Sequence, residues 1–187
     1  MRRCVVFATA VVLTALAGVA PGQSASITGL GDLPGGHFRS SGYDISDDGM
    51  VIVGDSSVDD SFSSSRAFRW TRKGGMVNLG KLTTQYGYST GLGVSPNGEW
   101  VVGASHSDSG FEAFRWSGST GMQGLGDLAG GPFNSYANAI NTDGTVVGGQ
   151  SMYLDNRQQA TRWTAQTGTV GLGFVGGAGA RNSAVAA

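Results

Sequence analysis

The tetrapeptide Ala113-Phe114-Arg115-Trp116 also occurs at Ala67-Phe68-Arg69-Trp70 and, with one change, at Ala160-Thr161-Arg162-Trp163. The three tryptophans stand 46 and 47 residues apart. A motif returning at a near-constant interval of that size marks a chain of repeated units, and it governs how every other motif is read. Three further landmarks keep the interval. Leu-Gly pairs fall at Leu30-Gly31, Leu79-Gly80, Leu125-Gly126 and Leu172-Gly173. Polar-Gly pairs fall at Asp48-Gly49, Asn97-Gly98 and Asp143-Gly144. A β-branched run follows each of these: Val51-Ile52-Val53-Gly54, Val101-Val102-Gly103 and Val146-Val147-Gly148. Three full units result, over about 30–78, 79–124 and 125–171, with a partial fourth over 172–187.

Each unit has a legible physics. Asp-Gly and Asn-Gly tolerate positive φ at both centres of a two-residue hairpin, so each pair is expected to close a hairpin between the strand before it and the Val-rich strand after it. In Ala67-Phe68-Arg69-Trp70 the pleat puts Phe68 and Trp70 on one face and Ala67 and Arg69 on the other. Gly75-Met76-Val77-Asn78-Leu79 reads as a fourth short strand. Four short strands in about 46 residues is the size of one propeller blade, so the expected fold is all-β: repeats of four-stranded antiparallel sheets in an incomplete propeller-like array. A single unit cannot cover its own apolar face, so units must stack.

The first 25 residues stand apart. Arg2 and Arg3 precede an apolar run from Cys4 to Ala20 and then small residues, the pattern of a secretory signal peptide, too short and wrongly flanked for a membrane anchor. The β-repeat domain is then 26–187. Cys4 is the only cysteine and leaves with the leader, so the mature chain is expected to hold neither a disulfide nor a thiolate-bound metal. Without the two leader arginines, ten basic residues face 13 acidic ones, and Arg72-Lys73 is the only adjacent basic pair that remains. That balance argues against a nucleic-acid partner. No membrane span is expected in the mature chain, and secretion to the cell surface or beyond is.

Several motifs look chemical. Gly171-Leu172-Gly173-Phe174-Val175-Gly176 matches a dinucleotide fingerprint, but no helix follows it and it falls on the Leu-Gly landmark. Val51 to Ser56 resembles the nucleophile block of the GDSL hydrolases, yet the only histidines are His37 and His106, so a base late in the chain is missing. Asp44, Asp47 and Asp48, and Asp55, Asp59 and Asp60, are acidic clusters whose spacing fits no EF-hand loop. No catalytic, cofactor-binding or metal residue is therefore assigned, and no cofactor is expected. Arg69, Arg115 and Arg162 are either a ring of anion contacts or arginines stacked on aromatics or paired with Asp32 or Asp127. A residue repeated in every unit usually serves the unit. On that ground Phe68, Arg69, Trp70, Phe114, Arg115, Trp116, Arg162 and Trp163 are assigned to repeat packing.

Taken together, Leu30 to Gly36, Ile45 to Gly49, Val53-Gly54 and Ala67 to Trp70 resemble the HAF-type extracellular repeat of bacterial secreted proteins. The signature histidine is replaced by Arg66, Glu112 and Gln159 in the three units. The resemblance covers about 28–187 and implies secretion, a propeller-like β-fold and no catalytic residues. It also makes the chain look like a fragment, with a fourth unit broken off and both ends of the array unpaired, and the tail from about 176 to 187 poorly ordered. The expected role is a non-catalytic binding or structural scaffold that contacts a surface polymer or another protein through its variable loops at 55–65, 104–110 and 150–159. The alternative is a propeller lyase or hydrolase with its site on the ring axis, where Asp32, Asp127 and the three arginines could converge.

Overall fold

The computed structural model describes residues 27–60, 64–153 and 157–175. The expected leader and the tail at 176–187 lie outside the described residues. Among the described residues there are twelve strands and no helix. The strands are β1 (Ser40–Ile45), β2 (Val51–Ser57), β3 (Ser65–Thr71), β4 (Gly75–Asn78), β5 (Ser89–Val94), β6 (Trp100–Ser107), β7 (Gly110–Ser117), β8 (Gly121–Gly124), β9 (Ser135–Ile140), β10 (Val146–Tyr153), β11 (Arg157–Thr164) and β12 (Gly168–Gly171). They form three sheets of four, each in chain order, and every pair within a sheet is antiparallel.

The hairpin at the polar-Gly pair differs from the two-residue loop expected. In the first sheet the Ser46 amide donates to the Val51 carbonyl at 2.9 Å, enclosing four residues, and the Gly49 amide donates to the Ser46 carbonyl at 2.8 Å. Side chains complete the turn. Asp48 accepts from the Ser46 hydroxyl (2.6 Å) and the Met50 amide (2.9 Å), and the Ser46 hydroxyl accepts from the Val51 amide (3.0 Å). Asn97 and Ser95 repeat the arrangement in the second sheet. The aspartate at this turn is thus an acceptor for local donors rather than a residue chosen for positive φ.

The register also moves one landmark. Gly54 and Gly103 pair with Phe68 and Phe114, and the residue in that place in the third sheet is Gly149, which pairs with Thr161, not Gly148. The first two strands of each sheet are bulged here, between Gly42 and Asp44, between Gly91 and Gly93, and opposite Gly148/Gly149. The bulge brings the first strand's backbone so close that a Cβ at Gly54, Gly103 or Gly149 would overlap the carbonyl of Ser41, Thr90 or Tyr136.

The sheets stack face to face. β5 lies against β1, β2 and β3, and β9 against β5, β6 and β7. Two apolar cores fill the junctions. The first joins Val51, Val53, Ala67 and Leu79, on the first sheet, to Val94, Val101, Phe114 and Trp116 of the second. The second joins Trp100, Val102, Ala113 and Leu125 to Ala137, Ile140, Val147 and Trp163. These are the same places of the repeat moved on by one sheet, except that Thr161 stands where the second sheet has Phe114, and Ala137 where it has Gly91. Alanine faces the next sheet and tryptophan the previous one, as the pleat of the tetrapeptide requires. Phe114 is fully buried. A buried side chain of that size contributes about 1.5–3 kcal/mol relative to exposure.

Candidate functional site

Two of the three repeated arginines, Arg69 and Arg115, lie at the junctions. Arg69 Nε donates to the Gly98 carbonyl at 3.0 Å, and an Arg115 guanidinium nitrogen donates to the Gly144 carbonyl at 2.9 Å. Each arginine therefore caps the hairpin turn of the following sheet. Arg115 is also held between two indoles, 4.6 Å from the Trp163 ring centre and 5.1 Å from that of Trp100. A cation sandwiched between aromatic faces is favourable, the more so where water is excluded. No aspartate takes part in these contacts. The turn glycines are fitted from the same side: a Cβ at Gly98 or Gly144 would overlap Val51 or Trp100, while one at Gly49 meets nothing. Two equivalent open clefts flank these contacts. One, of about 430 Å³, lies between Arg69, Trp100 and Trp116; the other, of about 340 Å³, lies between Arg115, Val146 and Arg162. Phe68 is fully buried in the first sheet, where Trp70 is half-buried, and Arg162 is exposed.

The serines of the hydrolase-like block have a common place. Ser56, Ser105 and Ser151 are buried, and each hydroxyl accepts an amide of the preceding loop, from Leu33 (2.9 Å), Leu82 (3.0 Å) and Leu128 (3.1 Å). A second series crosses the junctions. Ser89 and Ser135 accept from the Ala67 and Ala113 amides of the previous sheet, at 3.0 and 2.9 Å, and donate to Gly80 and Gly126 of their own unit. These serine hydroxyls and the amides they meet are thus paired, which removes the penalty for burying them.

Asp127 accepts from the amides of Leu128 (2.8 Å) and Asn134 (2.9 Å) and from the Ser151 hydroxyl. Burial nonetheless pushes its carboxyl above the ordinary aspartate value; the donated amide bonds oppose that shift and the Glu112 charge adds to it. Asp48 and Asp143, in the turns, lie below it, each held down chiefly by a hydroxyl bond, from Ser46 and Thr145 respectively. Among the described residues no three histidine, cysteine, aspartate or glutamate side chains are grouped so as to hold a metal ion. Among them, too, no helix is long and apolar enough to cross a membrane.

One cluster breaks the repeat, and no repeated motif marks it in the sequence. Tyr88, His106, Phe111 and Tyr136 form a continuous aromatic group at the strand ends away from the polar-Gly turns. His106 and Phe111 face each other across β6 and β7 with ring centres 5.1 Å apart. Tyr88 stands edge-on to His106 at 4.6 Å, and Tyr136 of the next sheet edge-on to Phe111 at 5.1 Å. Burial and the neighbouring Tyr88 raise the Tyr136 phenol above its ordinary pKa. The corresponding partners in the other sheets are Ser57 and Ser65, and Met152 and Gln158. The signal was therefore present as a disagreement among units, not as a motif. The loops expected here are shorter than the sequence suggested. β6 and β7 are joined by Asp108 and Ser109 alone, β2 extends to Ser57, and β10 and β11 take up most of 150–159.

No family model matches the chain, and no curated protein does. Among solved structures it is similar to a protein provisionally assigned as TolB from Agrobacterium tumefaciens, with a TM-score of 0.53 and 15% identity over 72% of this chain and 49% of that one. It is also similar to TolB from Acinetobacter baumannii, with a TM-score of 0.48 and 12% identity over 71% and 31%. The chain spans about half the length of the Agrobacterium protein it matches. At that identity the likeness bears on fold alone. With the three sheets in hand, the fold is an all-β, incomplete β-propeller.

Proposed function

We propose that this protein is an exported, non-catalytic β-repeat scaffold that binds a surface polymer or another protein outside the cytoplasm. The observation that carries the reading is the aromatic cluster of Tyr88, His106, Phe111 and Tyr136, which among the described residues appears at one junction only. Residues that recur from unit to unit have a mechanical use at the two junctions: Arg69 and Arg115 cap turns, the serines bridge loops and sheets, and Trp116 and Trp163 fill the space between sheets. Aromatic surface without a counterpart in the other units has no such use, and aromatic side chains are the usual anchors of recognition. The HAF-type resemblance and the leader-like first 25 residues support export. The competing lyase or hydrolase reading needs titratable groups from several sheets on one axis, whereas Asp127 is engaged with donors in its own unit.

The test is a glycan and protein array probed with the purified protein, together with a Phe111→Ser/Tyr88→Ser variant checked for folding by circular dichroism. Retention of one ligand class by the parent, and its loss in the variant, is expected. Binding unchanged in the variant, or turnover of any array glycan, would remove the support for this reading. Cell fractionation with N-terminal sequencing tests export separately: the expected mature protein starts shortly after residue 22 or 25 and lies outside the cytoplasm.

A further inference from the structure

The two junctions hold their arginines differently. At the second, Arg115 is fully engaged: a terminal nitrogen donates to the Gly144 carbonyl, Nε donates to Gln123 Oε1 at 3.2 Å, and the guanidinium lies between Trp100 and Trp163. At the first, Arg69 donates to the Gly98 carbonyl through Nε instead. The register explains the change. Val51 stands on the first sheet where Trp100 stands on the second, and Val77 where Gln123 does. Arg69 therefore lacks both the second indole and the amide acceptor. Among the described residues its two terminal nitrogens have no acceptor, and no aromatic ring lies against them.

Arg69 lines the open cleft of about 430 Å³ together with Glu99, Trp100, Trp116 and Ser119. Glu99 is exposed and accepts from the Asn97 side-chain amide at 3.1 Å. Among the described residues it forms no ion pair with Arg69. The equivalent cleft at the second junction has Thr145, Val146 and Gln166 in the places of Glu99, Trp100 and Ser119, so it offers neither this carboxylate nor this indole. The first cleft thus combines an arginine with spare donors, a carboxylate with spare acceptor capacity and apolar indole surface.

The chemistry of an occupant follows by elimination. An anion would meet the like charge of Glu99, and a cation that of Arg69. An apolar molecule would strip water from both groups and return no hydrogen bond. A sugar ring meets all three demands: its hydroxyls accept from a guanidinium and donate to a carboxylate, and its C–H face covers an indole. The volume is also within the ordinary range of small-ligand sites, about 300–1,000 Å³.

We propose that the cleft between the first two sheets is a saccharide site that takes a neutral pyranose unit of a polysaccharide. The terminal nitrogens of Arg69 donate to ring hydroxyls, Glu99 accepts from them, and Trp100 and Trp116 bound the ring. The cleft lies at the turn end of the sheets, opposite the Tyr88 cluster, and does not depend on it.

Isothermal titration calorimetry of the purified protein tests this with hexasaccharides of glucose, mannose, xylose and N-acetylglucosamine, and with polyglutamate and polylysine as charged controls. At least one saccharide is expected to saturate a single site per chain, and neither charged polymer to displace it. Ser119→Trp fills the cleft from an exposed position that belongs to neither core, so its circular dichroism is kept. This variant should abolish the saturation. Glu99→Ala and Arg69→Ala should each raise Kd about tenfold or more, the scale of losing a hydrogen bond to a charged group. Gln166→Trp, in the second cleft, and the Phe111→Ser/Tyr88→Ser variant should leave Kd within about twofold, as distant sites do; the last comparison separates failure here from failure of the aromatic-cluster reading. The proposal is overturned if none of the saccharides binds, if polyglutamate or polylysine displaces the bound one, if Ser119→Trp or Glu99→Ala leaves Kd unchanged, or if Gln166→Trp or the aromatic-cluster variant abolishes binding.

Discussion

Leu79 and Leu125 are 6% exposed, while Leu172, at the same place after the third sheet, is 58% exposed. Ile45 differs from Val94 and Ile140 in the same way at the other end. The inner junctions and the outer faces thus use matching side chains with opposite solvent contact. Burial in this molecule is conferred by the neighbouring sheet and not by the unit's own sequence. That is the behaviour of a one-dimensional array, in which stability is a sum of unit terms and nearest-neighbour junction terms. Glycine sharpens the contrast, because Gly49, Gly98 and Gly144 share a positive φ (70°, 70° and 74°) while only the last two have a neighbour packed against them.

Four measurements on dilute, single-chain protein would break or sharpen that comparison. The largest effect is expected at the inner core. Phe114→Ala should cost about 3–5 kcal/mol in a denaturant titration, the usual range for emptying a buried aromatic site. Leu172→Ala should change stability by less than about 0.5 kcal/mol, as surface changes do. A Leu172 cost as large as that of Leu125→Ala would end the distinction between faces. Next come the turn glycines. Gly144→Ala must accept a left-handed backbone and an overlap with Trp100, together about 2–5 kcal/mol. Gly49→Ala carries the backbone term alone, about 1–2 kcal/mol. Equal losses at the two sites would show that the indole does not matter.

The arginines rank third. Arg115→Ala loses the Gly144 hydrogen bond and the two indole faces, for about 1–3 kcal/mol. Arg162→Ala should lie within about 0.5 kcal/mol. The smallest effect is the pH dependence. Asp48 and Asp143 have depressed carboxyls, so what they contribute is present above the ordinary aspartate range, about pH 4, and is lost as pH falls through their lower folded values. Asp127 has a raised carboxyl, so its favourable contribution is complete below that range and is lost as pH rises through its higher folded value. Asp143→Asn should therefore flatten the acid limb of a stability–pH curve, and Asp127→Asn the limb just above about pH 4. A parent curve unchanged by either substitution would contradict these assignments.

Much of the architecture was legible because it rests on local chemistry that repeats. The alternation in Ala67-Phe68-Arg69-Trp70 places Ala67 in the junction with the following sheet, and in the next unit Phe114 and Trp116 face the preceding one. The misread details share one cause: periodicity fixes the order of residues but not which atoms satisfy one another. Asp-Gly suggested a two-residue loop because both residues tolerate positive φ; the Ser46 and Asp48 side chains close a four-residue one instead. Val146-Val147-Gly148 looked like the match to Val101-Val102-Gly103, yet the bulge in the third sheet makes Gly149 the residue under the neighbouring carbonyl. The arginines were expected on aromatics or aspartates; Arg115 does lie on Trp100 and Trp163, but Arg69 and Arg115 also find a turn carbonyl in the following sheet, 29 residues away.

By itself, then, the sequence determined the unit, its four strands, the faces of each strand and the number of complete sheets, because pleating and turn formation act over a few residues. Only the tertiary structure decided which serine bridges which loop, that Arg115 lies between Trp100 and Trp163, and that Tyr88, His106, Phe111 and Tyr136 meet at one edge. Those contacts join residues brought together by the stacking of sheets. Stacking is set by how two whole faces fill the space between them, a property of surfaces that no window of neighbouring residues contains.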